Sequence, residues 1–266
     1  MSSETLGAQV DAATAYETLF VPALFAQWPS KLIAAADVTE GQRVLDVACG
    51  TGVLAREALQ KAGPTGYVAG LDPSAGMLTV AKALAPSVDW RQGKAEAMPF
   101  PDASFDVVAC QFGLMFMQRE HALREMLRVV RQRGKLVAAV WDRLENIPAY
   151  AAEVALVEQL AGTQAADALR APFTLGNRDA LEQLFHTSGA TRISVRTCKG
   201  IGRFPSIRVM VEADLRGWLP VMGVSLAENV ISDILDNADS TLRQFANGDR
   251  QLVFDVAAHL VIASKH

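Results

Sequence analysis

The chain has 266 residues, 50% hydrophobic and 20% charged, the proportions of a globular protein with a sizeable core. Its formal net charge of -4 and pI near 5.6 exclude a surface built mainly to neutralise phosphates, which needs clustered Lys and Arg, so nucleic acid is not an expected partner. No apolar run approaches the roughly 18 to 20 residues of a membrane helix, and Met1 to Gln9 lacks the basic and apolar blocks of a signal peptide, which predicts a cytoplasmic protein without a membrane span.

The segment from Ala8 to Ala36 has a helical pattern, with Tyr16, Leu19, Phe20, Ala23 and Leu24 near one face, and Pro22 is expected to divide it into two short helices. Arg43 to Ala48 is a short apolar strand, followed by glycines and by a helical stripe of Leu54, Ala55, Ala58, Leu59 and Ala62 that Gly63-Pro64 stops. Tyr67 to Leu71 reads as a strand ending at Asp72, and Ser74 to Ala83 as a helix that Asp72 or Ser74 can cap. Val88 to Gln92 and Phe105 to Gln111 are strands separated by a loop with Pro99 and Pro101. Leu123, Met126, Leu127 and Val130 mark a helix ending before Gly134, and Lys135 to Trp141 is a fifth strand. Strands that are apolar on both faces and alternate with helices predict a doubly wound, parallel α/β sheet.

Farther along, helical stretches are expected near Ala149 to Leu169 and Arg178 to Ser188, with β-like runs from Ala190 to Phe204 and from Gln251 to Ser264. Between those runs, Pro205 to Asn247 holds helical patterns over Ile207 to Leu219 and Leu226 to Phe245, too long for a simple connection and of a size for a lid. No linker, repeat or low-complexity tract is visible, so residues 1–266 are expected to form one domain, with 8–36 as a helical cover and 205–247 as an inserted lid.

The turn Asp46-Val47-Ala48-Cys49-Gly50-Thr51-Gly52 lies between the first strand and its helix, where open α/β sheets bind nucleotides. Gly50, Gly52 and Ala55 satisfy a dinucleotide-type spacing, and Asp72 stands at the acidic position that grips a ribose hydroxyl. On the glycines alone, nicotinamide and adenosyl cofactors are not separated. Asp46 favours the latter, because a carboxylate before the turn repels pyrophosphate and attracts a cationic amino group. Cys49 reads as a small residue fitted into the turn, since nothing nearby suggests a base. The three cysteines, Cys49, Cys110 and Cys198, form neither a disulfide framework nor a zinc motif, and His121, His186, His259 and His266 have no short ligand spacing, so no metal is expected.

Three segments together resemble one family: Leu45 to Gly52; Leu71-Asp72-Pro73-Ser74 with Met77-Leu78; and Ala95-Glu96-Ala97-Met98-Pro99-Phe100 with Phe105-Asp106. In order and spacing they resemble class I S-adenosylmethionine-dependent methyltransferases, in the group that includes ubiquinone and menaquinone C-methyltransferases, over roughly Tyr16 to Trp141. The resemblance implies a Rossmann-like fold whose seven-stranded, mostly parallel sheet has an antiparallel last strand. It also implies S-adenosyl-L-methionine as cofactor and S-adenosyl-L-homocysteine as product. Asp46 and the turn through Ala48, Cys49, Gly50 and Gly52 would hold the methionyl part, and Asp72, followed by Pro73, the ribose. Met77, Ala95 and Glu96 would lie at the adenine, and Gln111 beside the reacting methyl. Lys94 departs from the pattern: many relatives have Asp there, and an ammonium cannot accept a hydrogen bond from the adenine amine.

The acceptor is expected beside the ends of the fourth and fifth strands, where Phe112, Met115, Phe116, Met117 and Trp141 suggest a small apolar or aromatic molecule. Tyr16, Phe20 and Trp218 are expected to close over it, although each also suits ordinary core packing. Methyl transfer is an in-line displacement that needs alignment more than a dedicated catalytic group. Asp142 and His121 are candidate bases, with His186 and His259 behind them, and Asp142 is the better placed. Two other functions use the same turn: an NAD(P)-dependent oxidoreductase and a noncatalytic adenosyl-ligand binding protein. The insertion has a competing reading as a homodimer interface.

Overall fold

The computed structural model describes residues 3–265, with side chains from residue 6 onward. Of the Met1 to Gln9 segment, the first two residues lie outside the described residues.

The first helix, α1 (Ser3–Ala15), continues into a π-helical stretch, Tyr16–Phe25, and a corner at Ala26 to Trp28 leads to α2 (Pro29–Ala36). The expected break at Pro22 is absent. The wider π turn accommodates a residue without an N–H, and the Ala26 amide reaches five residues back to Val21. The chain turns instead beyond Ala26, where the Trp28 indole donates to the Leu24 carbonyl at 2.9 Å. Among the described residues no single helix is long and apolar enough to cross a membrane.

The alternation that follows is β1 (Arg43–Val47), α3 (Val53–Ala62), β2 (Tyr67–Asp72), α4 (Ala75–Leu84), β3 (Asp89–Gln92), β4 (Phe105–Gln111), α5 (Arg119–Val129) and β5 (Val130–Trp141). Strands β1 and β4 are buried along nearly their whole length, as their unbroken apolar runs require. Asp46 of β1 stands opposite Gly70 of β2 on one side and Ala109 of β4 on the other, all in parallel. Ser74, rather than Asp72, caps α4 by accepting from the Met77 amide.

Strand β5 begins five residues before its expected start. Phe105 pairs with Val130 but Val107 with Lys135, so the polar run Arg131 to Gly134 bulges out of the ladder. Its anchor is the buried Asp106 carboxylate, which pairs with Arg131 and accepts from the Arg43 amide at 2.6 Å.

The remaining elements are α6 (Pro148–Ala161), α7 (Thr163–Arg170), α8 (Arg178–Thr187), β6 (Thr191–Phe204), α9 (Ile207–Ala213), the short α10 (Leu219–Val221), α11 (Glu228–Leu242) and β7 (Leu252–Ser264). A π-helical turn, Asp214–Trp218, joins α9 to α10. The expected helix from Ala149 to Leu169 is two helices, parted at Gly162 with φ of 85°. The seven strands lie in the order β3-β2-β1-β4-β5-β7-β6. Bonds from Arg133 to Lys265 and from Asp142 to Ala257 run β7 antiparallel to β5.

The chain packs as two compact units. One comprises the chain through Val140, Asn177–Cys198 and the end from His259; α1 crosses α4 there at Gly76, where an added Cβ would lie 2.5 Å from the Gln9 backbone. The other comprises Trp141–Gly176 and Lys199–Ala258, in which α6 packs against α7 and α11, and α9 against α11.

Candidate cofactor site

The turn after β1 is built from residues in the left-handed region: Ala48 (φ 55°), Gly50 (φ 55°) and Gly52 (φ 88°). For alanine this is a strained conformation, and a second strained residue, Phe112 (φ 56°), follows β4 next door. The two turns touch, because a Cβ on Gly113 would lie 2.6 Å from that of Ala48. Gly52 has a further constraint that the motif does not show: a Cβ there would meet the Trp90 ring at 2.3 Å.

Two carboxylates face this turn. Asp72, at the end of β2, accepts from the Gly50 and Ser74 amides, each at 2.9 Å. Asp46 is 1% exposed; its Oδ2 accepts from the Ala55 amide at 2.9 Å, while its Oδ1 has no hydrogen-bond partner among the described residues. Burial pushes both carboxyls above the usual carboxylate range, Asp46 the farther, with the nearby Asp72 charge adding to it. The Gln111 side-chain oxygen is likewise buried without a partner, its amide nitrogen lying 3.4 Å from the Phe25 carbonyl. Unmatched buried acceptors call for a ligand that brings donors.

The N-terminal helices lean on the same turn. Glu17 accepts from the Thr51 hydroxyl and from Arg56 Nη2 at 2.7 Å, and Arg56 Nη1 donates to the Thr51 carbonyl at 2.7 Å. This side-chain latch holds Tyr16 within 3.9 Å of where a Gly50 Cβ would stand. Burial, then the charges of Asp72, Glu17 and Asp46, push the Tyr16 hydroxyl above its ordinary range. Tyr16 stacks on Phe20 and Phe25, and Phe25 and Trp28 pack on Phe112, with centroids 5.5 to 6.1 Å apart. Tyr16, Phe20 and Phe112 thus share one aromatic cluster, to which Phe25 and Trp28 also belong. Met115 is buried in the turn after β4.

Several predicted residues are already engaged elsewhere. Glu96 Oε1 accepts from the Gln118 amide at 2.8 Å. Asp142 accepts from the Arg143 amide at 2.8 Å and from Asn146 Nδ2 at 3.0 Å, closing a local turn. His121 is exposed, with Nδ1 3.1 Å from Gln118 Oε1; His186 is also exposed, and His259 is buried against the Thr197 hydroxyl. Ala95 is buried, Met77 half-buried, and Pro73 and Lys94 exposed. Burial pushes the Cys49 thiol well up, which keeps it protonated and in a packing role. Trp141 and Trp218 belong to the second unit, where the Trp218 indole donates to the Ala168 carbonyl at 2.9 Å.

The family described as Methyltransferase domain matches residues 45–138, the span that holds the turn, both carboxylates and Gln111. Residues 45–138 are thus similar to a methyltransferase domain. Over 114 residues the chain is 46% identical to demethylmenaquinone methyltransferase from Renibacterium salmoninarum, covering 42% of this chain and 47% of that one. Over 126 residues it is 40% identical to the ubiquinone/menaquinone biosynthesis C-methyltransferase UbiE from Ectopseudomonas mendocina, covering 45% and 49%. The chain therefore matches about half the length of these curated relatives. Among solved structures, the YcgJ protein from Bacillus subtilis aligns with a TM-score of 0.59 at 20% identity, covering 90% of this chain and 98% of that one. The phosphoethanolamine N-methyltransferase 2 of Haemonchus contortus, in complex with S-adenosyl-L-methionine, aligns with a TM-score of 0.59 at 17% identity, covering 96% and 57%. At such identities the likeness is one of fold.

S-adenosyl-L-methionine, the group that the likeness to a methyltransferase domain implies, fits the residues present. It carries an ammonium and two ribose hydroxyls as donors, and the cradle offers acceptors on Asp46, Asp72 and Gln111.

Proposed function

We propose that the chain is an S-adenosylmethionine-dependent methyltransferase acting on a small apolar or aromatic acceptor. The observation that carries the reading is the buried Asp46 Oδ1, an acceptor without a donor beside a strained glycine turn. The relatives named for menaquinone and ubiquinone methylation support a ring-bearing acceptor.

When bound, the sulfonium supplies an activated methyl group. Asp46 and the backbone from Ala48 through Gly52 hold the methionyl end, and Asp72, with Pro73 behind it, accepts from the ribose hydroxyls. Met77, Ala95 and Glu96 flank the adenine, with one Glu96 oxygen still kept by Gln118. Gln111 borders the reacting methyl. Tyr16, Phe20, Phe112 and Met115 form an apolar wall that excludes water and aligns the acceptor, so the acceleration comes from orientation. Asp142 carries no proton transfer in this account, since both its oxygens are held locally.

The test is methyl transfer from labelled S-adenosyl-L-methionine to a panel of quinols and phenols. The reading predicts S-adenosyl-L-homocysteine formed in step with one methylated acceptor, and its loss in Asp72→Ala. Copurified NAD(P), with no affinity for S-adenosyl-L-homocysteine, would overturn it.

A further inference from the structure

The second unit holds a group of side chains to which the cofactor site gives no role. On α6, Tyr150 and Glu153 are three residues apart and share a helix face. Glu153 is 0% exposed, yet neither of its carboxylate oxygens has a hydrogen-bond partner among the described residues. Asp214, 5% exposed, opens the π-helical turn after α9, and its Oδ2 is likewise without a partner. The two carboxyls act on each other and on the Tyr150 hydroxyl. The Tyr150 ring packs on Phe173 and Phe254 at centroid distances of 5.6 Å, and Phe254 stacks on Phe204.

Three buried carboxyl oxygens without a separate donor are costly to keep, and beyond the hydrogen bond that the two carboxyls make to each other when one is protonated, no donor among the described residues reaches them. Arg170 is engaged by Glu158 and Asp167, and Arg216 by Glu212 and Glu228. An apolar pair of similar size would pack here at lower cost. π-helical turns, of which Asp214 opens one, occur frequently at functional sites.

We propose that Glu153 and Asp214 bind a primary ammonium group whose apolar body lies on the rings of Tyr150, Phe173 and Phe254. A primary ammonium brings three N–H donors, the number of unmatched oxygens, together with the positive charge that two adjacent carboxylates require. A hydroxyl brings one donor and no charge. Aromatic rings next to the carboxylates suit both the apolar body and the cation. In the free protein burial pushes both groups up, Asp214 to about 8; the neighbouring carboxyl adds to the rise at Glu153 and opposes it at Asp214, so the unliganded pair retains protons that a bound cation displaces.

The inference stands on the second unit alone and is independent of the methyl-transfer reading. Calorimetry on the full chain with 2-phenylethylamine and hexylamine should show saturable binding to one site per chain, with 2-phenylethanol at least about tenfold weaker. Glu153→Gln should weaken the amines about tenfold or more while leaving S-adenosyl-L-homocysteine affinity within about twofold. Asp214→Asn is the second variant, and the amine-to-alcohol comparison on the unaltered protein decides the matter should neither variant fold. Equal binding of amine and alcohol, no amine binding, or unchanged amine binding in the folded variants overturns the inference. Loss of S-adenosyl-L-homocysteine binding with amine binding intact would count against the methyltransferase reading only.

Discussion

Asp72 accepts from the Gly50 and Ser74 amides that set the turn, and under the proposed function it also accepts from the ribose hydroxyls. Asp72→Ala is therefore expected to weaken S-adenosyl-L-homocysteine by roughly 1.5 to 3 kcal/mol, about ten- to more than a hundredfold, as read by calorimetry. Unchanged affinity would remove Asp72 from the site. At Gly52, an added methyl meets both the left-handed backbone and the Trp90 ring, so Gly52→Ala should cost about 2 kcal/mol or more and lower the melting temperature by several degrees. Asp46, Gly50 and Gly52 are legible in the sequence because one strand-turn-helix unit presents them in a short, ordered stretch, and Asp72 because it ends the next strand. Trp90, Glu17, Glu153 and Asp214 matter through partners far away in the chain, and no local spacing announces those partners. The two buried acids did leave a trace: Glu153 falls in the apolar stripe of Ala149, Leu156 and Val157, and Asp214 in that of Ile207, Met210 and Val211.

Among the elements, the N-terminal helix is tied to the glycine turn by side chains. Glu17→Gln removes the charge that holds both Thr51 and Arg56, and should weaken S-adenosyl-L-homocysteine about three- to tenfold while speeding amide exchange in residues 16–25. Exchange at the wild-type rate would mean that the aromatic cluster alone holds the helix. In the second unit, the raised Asp214 carboxyl has a definite consequence for stability. Between the ordinary carboxylate range and about 8 the folded chain keeps a proton that the unfolded chain has released, so stability falls as pH rises. The fall is up to about 1.4 kcal/mol per pH unit, with Glu153 beside it also pushed up by burial. Asp214→Asn should flatten the melting profile across that window, and an unchanged slope would mean that Asp214 is ionised in the fold. Element boundaries were less legible than element types. Pro22 signals a break that a π turn absorbs, and the polar Arg131 to Gly134 run conceals a strand that starts before a bulge.

For the whole molecule, the central α/β alternation follows from apolar runs separated by helical stripes and was readable from Arg43 to Trp141, whereas the strand order was not, because pairing across a crossover leaves no local signal. Past that point the helices of the second unit carry no motif, because their sequence records packing, which many combinations of apolar residues satisfy. The proposal that residues 205–247 cover the acceptor is tested by Trp218→Ala. It predicts impaired turnover, unchanged mass in light scattering and S-adenosyl-L-homocysteine affinity within about twofold, a change of only about 0.4 kcal/mol. Because the Trp218 indole also holds the Ala168 carbonyl, its melting temperature must be followed alongside. Dissociation of a dimer with turnover retained would favour the interface reading instead. The most direct measurement of the central claim is calorimetric titration of the purified chain with S-adenosyl-L-homocysteine and, separately, with NAD. The account predicts one saturable site for the former, lost in Asp72→Ala, and no heat from NAD. Saturable NAD binding with no response to S-adenosyl-L-homocysteine would contradict it.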